Sequence, residues 1–211
     1  MTNGYRSALE EARRGFGQKN TMDMARFSGA ALSLYPPLSW REYTVPFLGR
    51  VYQIPWPAGE VSLFASRQPA SDGVSLILLH YLVKSTGTPP AGKMVPFNQL
   101  PGGNGYYPAF KKRALEPLSE FYANREKLLA SLVGQRLQAR RGKEPGSYLI
   151  MALPKLPLYV KIDRGGPENP SESSILFDQT ASEYLPTEDL AAVGEALTGR
   201  LLQWGKVALK K

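Results

Sequence analysis

The sharpest change of hydrophobic pattern along the chain lies between Ser173 and Leu190. A short apolar run over residues 174–177 ends abruptly on Asp178, which predicts a buried strand with a carboxylate at its end. Thr187 marks the helix start that follows, because a threonine side chain can cap open backbone N–H groups. The two acidic residues after Thr187 would stabilise the helix, because they place negative charge at the positive end of its dipole. This segment predicts local structure rather than a reaction.

Helical and then β-like patterns fill the first part of the chain. Apolar residues at helical spacing predict one helix from Tyr5 to Phe16 and a shorter one over Met22–Phe27. Aromatic and β-branched residues between Ala30 and Ser66 predict at least three antiparallel strands, with a turn at residues 48–50. A helix over about residues 72–86 is apolar nearly all round, so we expect it to be buried against the sheet.

The remaining sequence predicts alternating strands and helices. The expected elements are a strand at 94–97, a long helix from near Pro117 to Gly134, strands at 147–152 and 156–162, and a final helix with an apolar stripe ending at Trp204. Gly194 and Gly199 weaken that last helix, which suggests that a neighbour packs closely against it. The predicted fold is α+β, a mostly antiparallel sheet packed against helices. We expect residues 1–211 to form a single domain.

Two absences in the composition exclude much chemistry. The chain has no cysteine, which excludes disulfides, thiolate metal sites and a cysteine nucleophile. It has one histidine, His80, which excludes zinc and iron sites built from several imidazoles. Any metal bound by this chain would therefore sit mainly among oxygen ligands, as magnesium and calcium do. We assign no metal ligands from the sequence.

The charge balance bears on the choice of partner. A formal net charge of +8 suits an anionic partner, such as a small anionic ligand or an acidic partner protein. We do not expect nucleic acid, because no nucleic-acid-binding motif accompanies the charge. No apolar run is long enough to span a membrane, and the N-terminal segment lacks the apolar centre of a secretory signal. We therefore expect a cytoplasmic protein that binds no membrane.

The glycine-rich stretch at residues 102–105 is a candidate phosphate site. Its backbone N–H groups could face a phosphate, with Lys112 and its basic neighbours close by. The stretch matches neither the phosphate-binding loop nor the dinucleotide pattern GxGxxG. The alternative is a turn that needs positive φ, with Tyr106, Tyr107 and Phe110 packing beneath it.

Asp178 and His80 also have two interpretations each. Asp178 could bind magnesium or a cationic group at the end of its strand, or it could brace the turn that follows, which we favour. His80 would need a nucleophile to act as a general base, and no GxSxG motif supplies one. A hydrogen-bonded histidine at the edge of the core is the favoured alternative. No catalytic residue is predicted. The predicted ligand-binding residues are His80, Gly102, Gly103, Tyr106, Lys112 and Asp178.

Several motifs together resemble a known family. They are Leu78–Leu82, Pro101–Gly103 with Tyr106 and Phe110, and Ile175–Asp178 with Leu185 and Thr187–Asp189. Their order resembles a prokaryotic family of domains of unknown function, which is common in anaerobic bacteria and archaea and includes members with an added cysteine cluster of iron–sulfur type. The resemblance covers most of the chain. It implies a fold and a metabolic setting more than a function.

The chain departs from that family pattern in two places. Where the family has an acidic segment before the ILFD motif, residues 163–168 of this chain include basic and glycine residues. The added cysteine cluster is missing. If the family uses either feature for a cofactor, this member has lost the activity or draws the cofactor from a partner. The cofactor therefore stays unknown.

Three functional hypotheses follow. The first is a binding or accessory protein that holds a small anionic ligand or cofactor between the glycine-rich stretch and Asp178. The second is an enzyme that uses carboxylates, with or without magnesium, on a phosphate-bearing substrate; two further carboxylates within coordinating reach of Asp178 would favour it. The third is an interaction subunit that docks an acidic protein or nucleic acid through the basic residues between Arg136 and Lys143.

Overall fold

The computed structural model describes residues 2–35, 40–163 and 171–210, with side chains from Arg6 onward. The chain divides into two compact units. Unit 1 comprises Met1–Pro89, Leu153–Lys155 and Glu183–Pro186, and unit 2 comprises Pro90–Ala152, Leu156–Ser182 and Thr187–Lys211. A single domain over 1–211 stays a prediction. Two prolines at residues 36–37 predict a strand end, and the polar residues 163–172 predict a loop. Residues 36–37 and most of residues 163–172 lie outside the described residues.

Unit 1 combines three helices with one antiparallel sheet in the part of the chain that the structure describes. Its elements are α1 (Thr2–Gln18), α2 (Thr21–Ser28), β1 (Ala31–Tyr35), β2 (Trp40–Phe47), β3 (Arg50–Trp56), β4 (Ser62–Leu63) and α3 (Asp72–Lys84). The strands follow the order β1-β2-β3-β4, and each pairs antiparallel with its neighbour. The strands expected between Ala30 and Ser66 are confirmed.

The core of unit 1 lies on one face of this sheet. Tyr43, Val45 and Ile54 are fully buried there, since alternate residues of a strand share a face. The β2–β3 turn has positive φ at Leu48 and Gly49, a backbone geometry that suits the twist of a tight hairpin. Helix α3 buries most of its apolar residues, so the expected buried helix is confirmed.

Unit 2 combines four helices with a second antiparallel sheet among its described residues. Its elements are β5 (Met94–Pro96), α4 (Gly103–Phe110), α5 (Glu116–Tyr122), α6 (Glu126–Leu137), β6 (Arg140–Arg141), β7 (Ser147–Leu153), β8 (Leu156–Asp163), β9 (Glu172–Asp178) and α7 (Thr187–Ala208). The strand order is β5-β9-β8-β7-β6. Helices and antiparallel sheets together confirm the α+β class. No helix in the described ranges has the length and apolar character needed to cross a membrane.

The helical part of unit 2 differs from the prediction. Helix α4 already begins at Gly103 and continues through a π-helical turn at Lys111–Leu115 into α5. The expected single helix from Pro117 to Gly134 is wrong, because the chain leaves helical geometry at Arg125, where φ is −129°. The guanidinium of Arg125 donates a hydrogen bond to the Phe121 carbonyl oxygen at 2.5 Å and so closes the end of α5.

Hydroxyl groups stabilise the π-helical turn from two sides. A π turn shifts the helical hydrogen bonds by one residue. The hydroxyl of Thr198 on α7 donates to the Ala114 carbonyl oxygen at 3.0 Å, and the hydroxyl of Ser173 on β9 donates to the Leu115 carbonyl oxygen at 2.7 Å. These bonds fix the turn against both α7 and β9.

Two glycines of α7 are required by packing against rings. A Cβ atom at Gly194 would lie 2.5 Å from Cε2 of Phe110, and one at Gly205 would lie 2.4 Å from Cε1 of Phe121. The expected close approach at Gly194 is therefore confirmed. At Gly199 the expectation is wrong, since no heavy atom lies within 4 Å of the Cβ position and the residue is exposed.

We expect Gly194→Ala to lower the free energy of unfolding by about 1–3 kcal/mol, because the buried Phe110 ring has no room to move away. The matched control is Gly199→Ala on the same helix, which should raise the free energy of unfolding by up to about 1 kcal/mol through helix propensity alone. Urea unfolding followed by circular dichroism measures both. Equal effects at the two positions would contradict the proposed packing.

Candidate functional site

Asp178 ends β9 and is fully buried in unit 2. Its Oδ1 accepts hydrogen bonds from the backbone N–H groups of Ala91 and Thr180, both at 2.9 Å, and from the Thr180 hydroxyl at 2.7 Å. Its Oδ2 accepts one from the Gly92 N–H at 2.7 Å. The carboxylate thus holds the turn after β9 and the segment before β5 together.

These hydrogen bonds decide the protonation of Asp178. Burial by itself raises the pKa of a carboxyl group, but the bonds from Thr180, Ala91 and Gly92 favour the charged form and hold the pKa of Asp178 below its ordinary value. The geometry is that of the bracing role favoured from the sequence. A ligand-binding role for Asp178 stays a prediction.

The glycine-rich stretch lies at the start of α4 rather than in a long loop. Gly102 has φ of 72°, so the expected positive φ is found. A Cβ atom at Gly103 would lie 2.0 Å from the Phe97 carbonyl oxygen, which requires glycine there. The hydroxyls of Thr187 and Tyr106 donate hydrogen bonds to the Pro101 carbonyl oxygen and the Glu188 carboxylate. The stretch is thereby tied to the first turn of α7.

The other two predicted site residues lie elsewhere. Lys112 is exposed on the π-helical turn of unit 2. His80 is partly buried on α3 and belongs to unit 1. The structure therefore brings Gly102, Gly103 and Tyr106 together and does not add His80 to that group. Ligand binding by these residues stays a prediction.

Unit 2 contains a cavity of about 440 Å³ between the α4–α5 region and β9. Phe97, Phe110 and Tyr107 give it an apolar and aromatic side. Three of its serine hydroxyls are used within the protein: that of Ser171 donates to the Ser119 carbonyl oxygen at 3.3 Å, that of Ser119 to the Glu116 carbonyl oxygen at 3.0 Å, and that of Ser173 to the Leu115 carbonyl oxygen at 2.7 Å. No buried side-chain N or O atom of its described lining residues lacks a partner.

Unit 1 contains a larger cavity of about 520 Å³, which we call the Glu42 cavity. Polar and charged side chains dominate its wall. The lining residues are Arg13, Glu42, Gln53, Pro55, Glu60, Val61, Ser62, Arg67, Pro69, Ala70, Asp72 and Ser75. Three of them are acidic and two are basic, so the wall does not share the basic excess of the whole chain.

Strand register explains why the polar residues of this cavity meet. Glu42 of β2 lies opposite Pro55 of β3, and Gln53 of β3 lies opposite Ser62 of β4. Because side chains alternate along a strand, Glu42 and Gln53 share the sheet face opposite to that of Tyr43. The segment from β4 to α3 covers this face, which leaves Glu42 only 7% and Gln53 only 3% exposed.

The side chain of Gln53 is only half satisfied. Its Nε2 donates a hydrogen bond to the Ser62 hydroxyl at 3.1 Å. Its Oε1 is buried and accepts no hydrogen bond from any described residue. Two other buried side-chain atoms in the described ranges, Trp56 Nε1 and Ser182 Oγ, also lack partners, but neither residue lines the Glu42 cavity. A buried acceptor without a donor costs about 1–3 kcal/mol.

Glu42 forms an ion pair with Arg67, whose Nη1 lies 3.5 Å from Oε2 of Glu42. The Arg67 side chain is 66% exposed, whereas that of Glu42 is 9% exposed. Arg67 has φ of 58°, a left-handed conformation that is uncommon for a residue other than glycine. Backbone hydrogen bonds from Arg67 N to Leu63 O and from Leu63 N to Gln68 O, both 2.9 Å, hold it there.

The described residues include no group of three histidine, cysteine, aspartate or glutamate side chains placed to hold a metal ion. The magnesium-dependent hypothesis needed such a group around Asp178, and the described part of the chain does not supply it. The basic residues Arg136, Arg140, Arg141 and Lys143 are all exposed. Their role in docking an acidic partner stays a prediction.

A comparison with family models matches residues 27–200 to the Domain of unknown function (DUF3786). The chain belongs to the DUF3786 family. The expected membership of a family of domains of unknown function is confirmed, while the motifs and the prokaryotic, anaerobic distribution stay predictions. The DUF3786 match includes Glu42, Gln53 and Arg67. No curated protein and no solved structure matched the chain.

Sequence reasoning missed the Glu42 cavity for a physical reason. Glu42 and Gln53 alternate with the core residues of their strands, a pattern that predicts a solvent-facing side. Their burial results from a segment that follows later in the chain and carries Arg67. The one local signal was a carboxylate and an amide on the same face of a predicted hairpin, which is too common to indicate a site.

We expect Asp178→Asn to lower the free energy of unfolding at neutral pH by about 2 kcal/mol or more, because an amide group cannot accept all four hydrogen bonds. The folded-state pKa of Asp178 lies below its unfolded value. Its stabilisation is therefore present above the unfolded pKa and is lost as the pH falls through the folded pKa. The difference between wild type and variant should shrink in acid.

Urea unfolding at a series of pH values measures this difference. Asp23→Asn is the control, because Asp23 is exposed and pairs only with Arg26 at 3.6 Å. Its effect should stay within about 0.5 kcal/mol at every pH. A difference for Asp178→Asn that stays constant into acid would show that the charge of Asp178 does not stabilise the fold.

Proposed function

We propose that this chain is a binding protein that holds a small polar molecule in the Glu42 cavity. The observation that carries the proposal is the side chain of Gln53, a lining residue of the cavity whose buried Oε1 accepts no hydrogen bond from the described residues. Native proteins satisfy most buried polar atoms, so an unpaired acceptor on a residue of the cavity wall suits a ligand that brings a donor.

The size and shape of the cavity support the proposal. About 520 Å³ falls within the range of small-molecule sites. Its wall is formed by adjacent strands on one side and the β4–α3 segment on the other, so its polar groups are fixed by regular backbone bonds. A preformed wall lowers the entropy cost of binding.

The strained conformation of Arg67 supports the same site. Non-glycine residues in the left-handed region cost about 1–3 kcal/mol in unfavourable cases and are concentrated at functional sites. Here the strain places a guanidinium against Glu42 at the cavity wall. The Glu42 cavity thus combines a strained residue, a buried carboxylate and an unpaired acceptor.

The unit 2 cavity is the weaker candidate. Its serine hydroxyls donate to carbonyl oxygens of the same unit, which leaves no buried side-chain acceptor of its described wall without a partner. The small anionic ligand predicted from the net charge also finds little support in the Glu42 cavity, where acidic residues outnumber basic ones. We therefore propose a polar ligand there, and no catalytic role.

The proposal predicts that gently purified protein carries a bound small molecule, which native mass spectrometry detects as added mass. Gln53→Leu should weaken the affinity about tenfold and so lower the bound fraction, since a leucine offers no acceptor to the ligand and one buried hydrogen bond is worth about 1.4 kcal/mol in affinity. Gln203→Leu, at an exposed position of α7, is the control and should leave the bound fraction unchanged.

Stability of the ligand-free form separates binding from folding. Gln53→Leu should leave the free energy of unfolding of dialysed protein unchanged or higher, because it removes an unsatisfied buried acceptor. A clean mass for wild-type protein purified from several expression hosts would contradict the proposed function. So would a bound fraction that Gln53→Leu does not change.

A further inference from the structure

The contact between Glu42 and Arg67 is poor for a buried carboxylate. Their closest N–O distance is 3.5 Å, which is outside the range of about 2.7–2.9 Å for charge-assisted hydrogen bonds. Lys161, by contrast, lies 2.7 Å from Glu144 and 2.8 Å from Asp163. A carboxylate that is removed from water needs close hydrogen-bond donors to offset its lost hydration. Arg67 supplies charge without such a bond.

The Glu42 and Arg67 side chains differ in their exposure to solvent. The Glu42 side chain lies inside the cavity, at 9% exposure, and the Arg67 side chain reaches toward it from the solvent, at 66% exposure. An exposed guanidinium loses little when it leaves an ion pair, because water solvates it. The buried carboxylate loses much more. The Arg67 guanidinium can therefore leave Glu42 at little cost, provided that another cation binds the Glu42 carboxylate.

Gln53 adds a second acceptor on the same sheet face. Gln53 and Glu42 both line the cavity, and the Oε1 of Gln53 has no donor among the described residues. A group with a positive charge and several N–H donors would suit this pair of side chains. A guanidinium has five N–H donors and an ammonium has three. An anion would instead meet a wall in which Glu60 and Asp72 add to the negative charge of Glu42, so that three carboxylates stand against the guanidinium groups of Arg13 and Arg67. Of these two, Arg13 already donates to the Gly59 carbonyl oxygen.

Resting on the proposed function, we propose that the ligand of the Glu42 cavity is an organic cation with a guanidinium or ammonium group, and that Arg67 holds the place of this group at Glu42 when the cavity has no ligand. Arg67 is then a competitor of the ligand. Removal of the Arg67 side chain should therefore strengthen ligand binding. Removal of an arginine that contacts an anionic ligand would instead weaken it.

The test is a titration of the full chain with three probes of similar size: n-butylguanidinium, n-butylammonium and n-butyrate. The readout is the side-chain amide signal of Gln53 in ¹H–¹⁵N spectra, assigned through Gln53→Leu. The variants are Arg67→Asn, since asparagine tolerates the left-handed conformation, and Glu42→Gln. Arg50→Asn is the control, because it removes the same charge from an exposed residue that does not line the cavity.

The two cations should shift the Gln53 signal and n-butyrate should not. In Arg67→Asn the dissociation constants of the cations should fall on the order of tenfold, because the competing state is removed. They should stay unchanged in Arg50→Asn. In the double variant Arg67→Asn/Glu42→Gln, cation binding should be lost. This set of results would support the cationic ligand and the role of Arg67.

Three results would overturn the inference. They are weaker cation binding in Arg67→Asn, tighter binding of n-butyrate than of the cations, and no shift of the Gln53 signal with any probe. None of them by itself removes the proposed function, which fails only if wild-type protein also carries no Gln53-dependent bound mass. The two failures are therefore distinguishable.

Discussion

A carboxylate that is buried in a folded chain must find donors inside the protein, and this constraint distinguishes Asp178 from Glu42, two of the buried carboxylates among the described residues. Asp178 receives four hydrogen bonds, three of them from backbone N–H groups, and its pKa is held below the ordinary value. Glu42 has one described partner, a guanidinium at 3.5 Å. The hydrogen bonds of Asp178 stabilise the fold. The carboxylate of Glu42 keeps acceptor positions that a ligand donor can use.

The fold produces both situations with ordinary elements. In unit 2 Asp178 accepts hydrogen bonds from the backbone N–H groups of Thr180 in the turn after β9 and of Ala91 and Gly92 before β5. Ring packing at Gly194 and hydroxyl bonds to the π-helical turn fix the helices of the same unit. In unit 1 the β4–α3 segment covers a sheet face whose strand pattern is that of a solvent-facing surface. Covering such a face buries Glu42 and Gln53 without providing all their partners. The Glu42 cavity is the result.

The sequence predicted what local patterns determine. Aromatic and β-branched residues predicted the strands of the hairpin, residues 48–50 predicted its turn, and the apolar run of α3 predicted the buried helix. The helix at Gly103 was missed, because glycines there indicate a loop and only the approach of the Phe97 carbonyl oxygen shows why they are needed. The Glu42 cavity was missed for a similar reason. Glu42 and Gln53 are buried by a segment that lies elsewhere in the sequence, and local periodicity cannot predict such a contact.

We infer that Glu42 serves ligand binding rather than folding. The free energy of unfolding of the Glu42→Gln variant, measured in ligand-free protein, is the most direct test. Asp178→Asn is the natural reference, because it makes the same chemical change at a fully bonded carboxylate. The account predicts a free energy of unfolding for Glu42→Gln that is unchanged or higher than that of wild type, since the buried charge is removed and the exposed Arg67 returns to water. A loss as large as that of Asp178→Asn would show that Glu42 is a structural residue and would contradict the account.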